Sequence, residues 1–497
     1  MRNHVTFTIN GQLHEADSEE SGLMLAEYLR KRRSLSGTKI VCAEGDCGAC
    51  TVLKAAPFEA SPGKAPRYLP VNSCIIPVAT LDGSSLVTVD GLAERPSLHP
   101  VQEAMVKCHG SQCGFCTPGF VMALAGLVEK RIEQKDVANP IRASEAKNAL
   151  TANLCRCTGY QPIVDAACSI PLEQCKSVRT RCESKANGAA LKAAVKTTLL
   201  LKTNEFECFA PKTLEEAGRY LKKNPDAKLM SGSTDLGVLH NKRKQPLTKM
   251  LSLHLIPELY RIKKAGKTRV QVGARVTLTE VRDFLKEGRI SEFADFLDLF
   301  ASPQIKNQAT LVGNLANASP IGDTPPFLLV AGTTVHTFNG RATGAKRKRK
   351  IPIEDFFLGY RKTALLAGEF ITGVEFDIPS AGETLVLRKV SQRKDLDIST
   401  VNAAFRVQWD SRKERLRKVR VAYGGVAATP IRLTQLEGLM QGARWDQLDS
   451  RPMIDALHAE ITPLSDVRSS AAFRRVAAEN LLVNFLKGLS EKGEVRS

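Results

Sequence analysis

Eight of the thirteen cysteines in this 497-residue chain fall into two sets of four. The first is Cys42, Cys47, Cys50 and Cys74, spaced C-x4-C-x2-C with a distant fourth member. The second is Cys113, Cys116, Cys155 and Cys157, spaced C-x2-C and then C-x-C. This pattern constrains the fold, because each set must curl one tight segment and bring a remote one back to it. Neither set reads as a disulfide framework. Residues Met1–Asn10 are polar and alternating, without the apolar stretch or cleavage site of a secretory signal. The thiols are therefore expected in a reducing cytoplasm, where thiolates hold metals.

The first spacing is the plant-type ferredoxin pattern for a [2Fe–2S] cluster. Three thiolates come from one wrapped loop. Gly45 and Gly48 let its backbone curl and aim N–H groups at sulfur. Structural zinc is the alternative, but zinc ribbons favour paired C-x2-C knuckles. The second set could hold zinc or a cluster. Thr117-Pro118 is expected to open a helix with an N-cap and an N1 proline, so Cys113 and Cys116 precede a helix N-terminus that favours anions. Two such sets imply single-electron transfer.

A chain of this length exceeds one hydrophobic core, and two to four domains are expected. Residues 5–13, VTFTINGQL, alternate around Asn10-Gly11, a hairpin signal. A helix from Leu23 to Arg32 and strands at Val71–Ala79 and Leu86–Val89 complete a β-grasp pattern over 1–90. Residues 91–168 turn helical, with helices at Pro100–His109, from Thr117 to Ile132, and at Ser144–Leu154. Residues 169–204 lack periodicity and read as a linker. An α/β region covers 205–380, including a helix at Thr213–Lys223, strands at Ala227–Met230 and Val270–Val272, and a helix at Thr279–Glu287. Gly344–Lys350, GAKRKRK, reads as a solvated basic loop. Residues 384–490 suggest an antiparallel sheet (Leu385–Val390, Ala403–Trp409, Val419–Ala422) followed by helices to about Lys487, and the tail EKGEVRS should fray.

The net charge of +19 could suit nucleic acid, but no nucleic-acid motif accompanies it. No apolar run of about 18 residues predicts a membrane span. The Rossmann and P-loop glycine patterns are absent. Two other small-residue turns could cradle a pyrophosphate with consecutive N–H groups. One is Leu229-Met230-Ser231-Gly232-Ser233-Thr234-Asp235-Leu236. The other is Thr310-Leu311-Val312-Gly313-Asn314, continuing to Ser319–Asp323. Ordinary turns share this composition. Cys108, Cys168, Cys175, Cys182 and Cys208 are expected to be free thiols.

The segments CAEGDCGACTV, QCGFCTPG and NLCRCTGYQPI resemble the iron–sulfur portion of the molybdenum hydroxylases, and the resemblance extends from residue 4 to about 490. It implies a multidomain α+β fold: a β-grasp ferredoxin-like domain, a four-helix [2Fe–2S] domain, an α+β FAD-binding domain of the vanillyl-alcohol-oxidase-like type, and a C-terminal α+β flavoprotein domain like that of CO dehydrogenase. Both cysteine sets would bind [2Fe–2S] clusters. Leu229–Leu236 and Thr310–Asn314 would wrap FAD, Phe300 would pack near the flavin or adenine, and Asp323 would accept a hydrogen bond. Ile371 and Lys389 would lie near the isoalloxazine, although Phe300 and Ile371 equally suit a plain core. Ser391–Ile398 would shape an NAD site or form an exposed charged turn. By resemblance the chain looks like the small subunit of a split xanthine dehydrogenase, with molybdopterin on a partner large subunit, a heterotetrameric assembly, and NAD as acceptor. No catalytic acid or base for hydroxylation is expected here. A related hydroxylase acting on an aldehyde or N-heterocycle is the alternative, and neither nucleic acid nor membrane is an expected partner.

Overall fold

The computed structural model describes residues 1–57, 66–93, 96–288, 290–380, 382–410, 415–444 and 448–494. The chain divides into two compact units, Met1–Tyr260 with Ser302–Ala309, and Arg261–Ala301 with Thr310–Ser497. The division falls within 205–380 rather than at either end of that span.

In the first unit, five strands form a sheet in the order Gln12–Ala16, Val5–Ile9, Ser85–Val87, Thr51–Ala55, Tyr68–Asn72. The expected hairpin turns at Asn10 and Gly11, which both have positive φ (52° and 82°), as a two-residue turn matching strand twist requires. The helix Leu25–Lys31 buries Leu25, Tyr28 and Leu29 in one core with Val5, Phe7 and Val52 of this sheet. Leu53, Tyr68 and Val87 share a core with the buried Phe120, Met122, Leu124 and Ile163 of the helical region. Val5, Phe7, Ile9 and Val52 share another with Leu199, Leu201, Met230 and Met250. These last residues belong to a four-stranded sheet in the order Leu199–Lys202, Glu207–Ala210, Lys249–Ser252, Lys228–Met230. The helix Leu214–Lys223 beside it has Thr213 as a side-chain N-cap, acids in its first turn and lysines in its last, each favourable to the helix dipole.

Residues 73–80 do not continue a strand beyond Asn72 but form two single turns, Ser73–Ile75 and Val78–Thr80, so Cys74 lies on a curled segment that can face Cys50. The N-cap of the helix Thr117–Glu133 is Cys116, and Thr117 is already helical. Helix Ala143–Ala149 ends well before Leu154, leaving Cys155 and Cys157 in a loop before the helix Gln161–Cys168. Residues 169–204 are not an aperiodic linker. They form helices Val178–Cys182 and Lys185–Ala194 and the strand Leu199–Lys202, held by buried Val178, Cys182 and Leu191.

The second unit contains a five-stranded sheet, ordered Ile262–Ala265, Arg269–Gly273, Glu369–Asp377, Thr334–Asn339, Lys348–Pro352. Its edge strand Lys348–Pro352 overlaps the expected basic loop. Ile351 buries while Lys348 and Lys350 stay exposed, so the charges occupy the outer face of a strand. A four-stranded antiparallel sheet of Glu383–Val390, Val401–Asp410, Arg415–Gly424 and Ile431–Arg432 follows. Helices Thr434–Met440, Ser450–Glu460 and Ala471–Glu494 cover it through Leu436, Leu457, Leu482 and Phe485. The last helix extends through 491–494, the first four residues of the tail expected to fray, and 495–497 lie outside the described residues. Among the described residues no helix is long and apolar enough to cross a membrane.

Candidate redox centres

The loop carrying Cys42, Cys47 and Cys50 curls through two left-handed glycines, Gly45 (φ 78°) and Gly48 (φ 67°). Cys47, Cys50 and Cys74 are buried and Cys42 is partly so. The sulfurs converge by hydrogen bonding to one another: Cys42 with Cys47 and Cys74, and Cys74 with Cys50. Their proton affinities split accordingly. Bonds from Cys47 and Cys74 lower the Cys42 thiol, and the bond from Cys74 lowers Cys50. Cys47 and Cys74, which donate to Cys42, are raised. The amides of Glu44 and Cys47 each lie 3.4 Å from Cys42 Sγ, and Asn72 Nδ2 lies 3.8 Å from Cys50 Sγ. Donors of this kind stabilise thiolate and tune the potential of a bound cluster.

The second set is more open, with Cys113 and Cys157 exposed and Cys155 buried. Cys157 Sγ lies 3.7 Å from Cys113 Sγ, and Cys116 hydrogen-bonds Cys155. Burial, and then the bond to Cys155, push the Cys116 thiol up to about 12. At Cys155 burial acts upward, but it is outweighed by Thr158 (Oγ1 3.2 Å, amide 3.4 Å) and the Cys157 amide (3.4 Å), which hold the thiol at about 7. Among the described residues no group of His, Cys, Asp or Glu is arranged around a single ion. The first set forms a run of four linked thiols and the second meets as two pairs, Cys113 with Cys157 and Cys116 with Cys155; four thiolates around two irons are the donor set of a [2Fe–2S] cluster.

The two cysteine loops touch. The Leu154 amide donates to the Cys47 carbonyl at 3.1 Å, and Asn153 Nδ2 donates to the Gly48 carbonyl at 3.2 Å. Gln304 Nε2 in turn donates to Asn153 Oδ1 at 3.0 Å. No sequence motif marks these contacts of Asn153 and Gln304, or those of Asn241, because the partners are distant along the chain and mostly backbone carbonyls.

The flavin candidates are divided between the units. Leu229–Leu236 belongs to the first. Leu229 and Met230 end a strand, Ser231 and Gly232 turn, and Thr234–Asn241 is helical, with Asp235 exposed and Leu236 partly buried. Gly232 packs on the Gln308–Ala309 backbone, where a Cβ would lie 3.0 Å from Ala309 Cα. Ser233, left-handed (φ 57°) and 7% exposed, has a buried Oγ with no hydrogen-bond partner among the described residues. A tight turn, an unpaired buried hydroxyl and a helix N-terminus suit a phosphate oxygen.

In the second unit, Thr310 caps the short helix Leu311–Ala316 by accepting the Gly313 amide at 3.0 Å, and Leu311 and Val312 are buried. Asn314 Oδ1 accepts from Thr324 Oγ1 at 2.6 Å. Asp323 and Lys389 meet, Nζ to Oδ2 at 2.8 Å, with side chains 7% and 4% exposed. Asp323 also accepts from Ser399 and Asn402, and Lys389 donates to the Asp397 carbonyl at 2.7 Å. Lys389 is thus committed to a buried ion pair that anchors the end of the segment 391–398. Ile371 is buried in the central strand Glu369–Asp377, and Phe300 is partly buried at a helix end.

Four family models match successive parts of the chain. They are a 2Fe-2S iron-sulfur cluster binding domain (residues 7–79), a [2Fe-2S] binding domain (88–168), the FAD binding domain in molybdopterin dehydrogenase (204–380), and the CO dehydrogenase flavoprotein C-terminal domain (387–489). Xanthine dehydrogenase of Drosophila pseudoobscura pseudoobscura is 29% identical over 98% of this chain, and that of Calliphora vicina 30% over 92%. Aldehyde oxidase 4 of Cavia porcellus is 29% identical over 88%. The chain spans only 39%, 36% and 36% of the length of these relatives. Among solved structures, a cyanide-inactivated Cu,Mo-CO dehydrogenase chain is 25% identical with a TM-score of 0.52, covering 60% of this chain and 100% of that one. Quinoline 2-oxidoreductase from Pseudomonas putida 86, at 23% identity and TM-score 0.51, covers 59% of this chain and 99% of that one and shares the fold.

Two iron–sulfur domains followed by an FAD-binding domain and a flavoprotein C-terminal domain define an electron-transferring iron–sulfur flavoprotein. The chain belongs to the molybdenum hydroxylases, of which it is the iron–sulfur/FAD portion.

Proposed function

We propose that this chain is the electron-transfer subunit of a cytoplasmic xanthine dehydrogenase. It would receive electrons from a molybdopterin centre on a partner large subunit, in a heterotetramer, and deliver them to NAD+ as hypoxanthine becomes xanthine and then urate. One-electron clusters and a flavin that takes two electrons would supply the change from single-electron to hydride chemistry. Domain spans of 1–90, 91–168, 205–380 and 384–490 go with this reading. Cys42, Cys47, Cys50 and Cys74 would hold one cluster, and Cys113, Cys116, Cys155 and Cys157 the other. The turns Leu229–Leu236 and Thr310–Asn314 would bind FAD through backbone N–H groups and the Ser233 hydroxyl. The Asp323–Lys389 pair would keep the segment 391–398 in place.

The observation that carries the reading is the hydrogen bond from Leu154 to the Cys47 carbonyl, which joins the two thiol sets through a few bonds. The test is purification of the native complex with metal and flavin analysis and a xanthine/NAD+ assay. An iron-to-flavin ratio of about four is expected for two di-iron clusters and one FAD. Colourless protein with zinc would overturn it.

A related hydroxylase of aldehydes or N-heterocycles is the second reading. It is favoured by the aldehyde oxidase among the relatives. Turnover of aldehydes but not purines by the same complex would select it.

A further inference from the structure

The first cysteine loop is gripped by one side chain from a helix outside it. Asn241, the last residue of the helix Thr234–Asn241, donates Nδ2 to the Ala43 carbonyl and to the Cys74 carbonyl, both at 2.8 Å. Ala43 follows Cys42 and is left-handed (φ 55°), a conformation an alanine holds only where its surroundings enforce it. One amide thus ties the segment bearing the first thiol to the segment bearing the fourth.

The helix is seated firmly enough to act as an anchor. A Cβ on Gly237 would lie 3.0 Å from Ile75 Cα and closer still to the Ile75 carbonyl oxygen, so only glycine allows this approach. Lys242, just beyond, pairs with Glu44. Val238 packs on the small buried cluster of Ala26, Cys50, Cys74 and Ile75. The same helix begins at the Ser231–Ser233 turn.

The electrostatic consequence follows from the amide's orientation. The carbonyl oxygens of Ala43 and Cys74 carry partial negative charge beside thiolate-bearing residues. An N–H group aimed at both offsets that charge and eases the addition of an electron. An apolar side chain of the same size would leave both carbonyls unpaired and the loop untied.

We infer that Asn241 is a positioning residue for the first cysteine set. It holds the Cys42 and Cys74 segments in register, raises the reduction potential of the cluster they would bind, and links that cluster to the helix after the Ser231–Ser233 turn. The inference rests on reading Cys42, Cys47, Cys50 and Cys74 as cluster ligands.

The test is a dye-mediated potentiometric titration of the cofactor-loaded full chain, followed by EPR and visible absorption, on the parent, Asn241→Leu, Asn241→Ser and Asn241→Asp. The parent should show two separable cluster steps. Leucine and serine should each lower the midpoint of one cluster and leave the other unchanged, and aspartate should lower it further because its carboxylate opposes both carbonyls. Serine reads the same effect if leucine does not fold. Parent midpoints in every variant, or equal shifts of both clusters, would overturn the inference. A parent lacking about four irons per chain would instead defeat the reading beneath it.

Discussion

Gly119, near the start of the helix capped by Cys116, packs on the backbone of Gly48 in the first cysteine loop. An added Cβ would lie 2.9 Å from Ala49 Cα and nearer still to the Gly48 carbonyl oxygen. The neighbours are backbone, so they cannot swing aside. Overpacking of this kind costs about 1–3 kcal/mol. Gly119→Ala should lower the melting temperature and reduce iron content, measured by calorimetry and metal analysis. An unchanged melting curve would show that the two loops separate easily.

The second set should be separable from the first. Cys113 is exposed and meets Cys157, while the first set is mostly buried and closes on itself. Cys113→Ser should reduce iron from about four to about two per chain, with one cluster signal retained. Xanthine-dependent NAD+ reduction should stop. Normal turnover in this variant would contradict the proposed route.

Thr158 should govern the pH response of Cys155 in cluster-free protein. The folded thiol is held near 7, below its ordinary value of 9.0, with the Thr158 hydroxyl among the groups that outweigh burial. Its thiolate therefore forms as pH rises through about 7. Stability tied to that shift is present above the ordinary value and is lost as pH falls through the folded one. In Thr158→Val the hydroxyl is gone, so the alkylation midpoint of Cys155, followed by mass spectrometry, should move to higher pH.

The Asp323–Lys389 pair should be costly to break from one side. Lys389→Met leaves Asp323 with donors from Ser399 and Asn402 but without a countercharge. Removing one partner of a buried pair costs about 3–5 kcal/mol. The double variant Asp323→Asn with Lys389→Met should recover much of that loss in urea unfolding and should restore flavin content lost in the single variant. A single variant as stable as the parent would contradict a stabilising role for the buried pair.

Local elements were legible where short-range chemistry sets them. The Asn10-Gly11 hairpin follows from turn geometry, and the helix after Thr213 from its cap and charge order. The strand expected over 73–79 is two turns because a continuous apolar run reads alike in a strand and in a buried curl, and the need to turn Cys74 inward decides between them. The segment 169–204 looked aperiodic because its short helices bury only a few residues each, against surfaces supplied from elsewhere.

The spacing of eight cysteines was determined by the sequence alone, since ligand type and loop length are covalent properties. With the surrounding motifs, it was enough to point to two clusters and a family. Which residues flank those thiols was decided by the tertiary structure. Asn153 and Asn241 donate to backbone carbonyls in remote segments, Gln304 donates to the side chain of Asn153, and Lys389 pairs with Asp323 across 66 residues. A backbone carbonyl has no sequence signature, so such partners emerge only when the chain is folded.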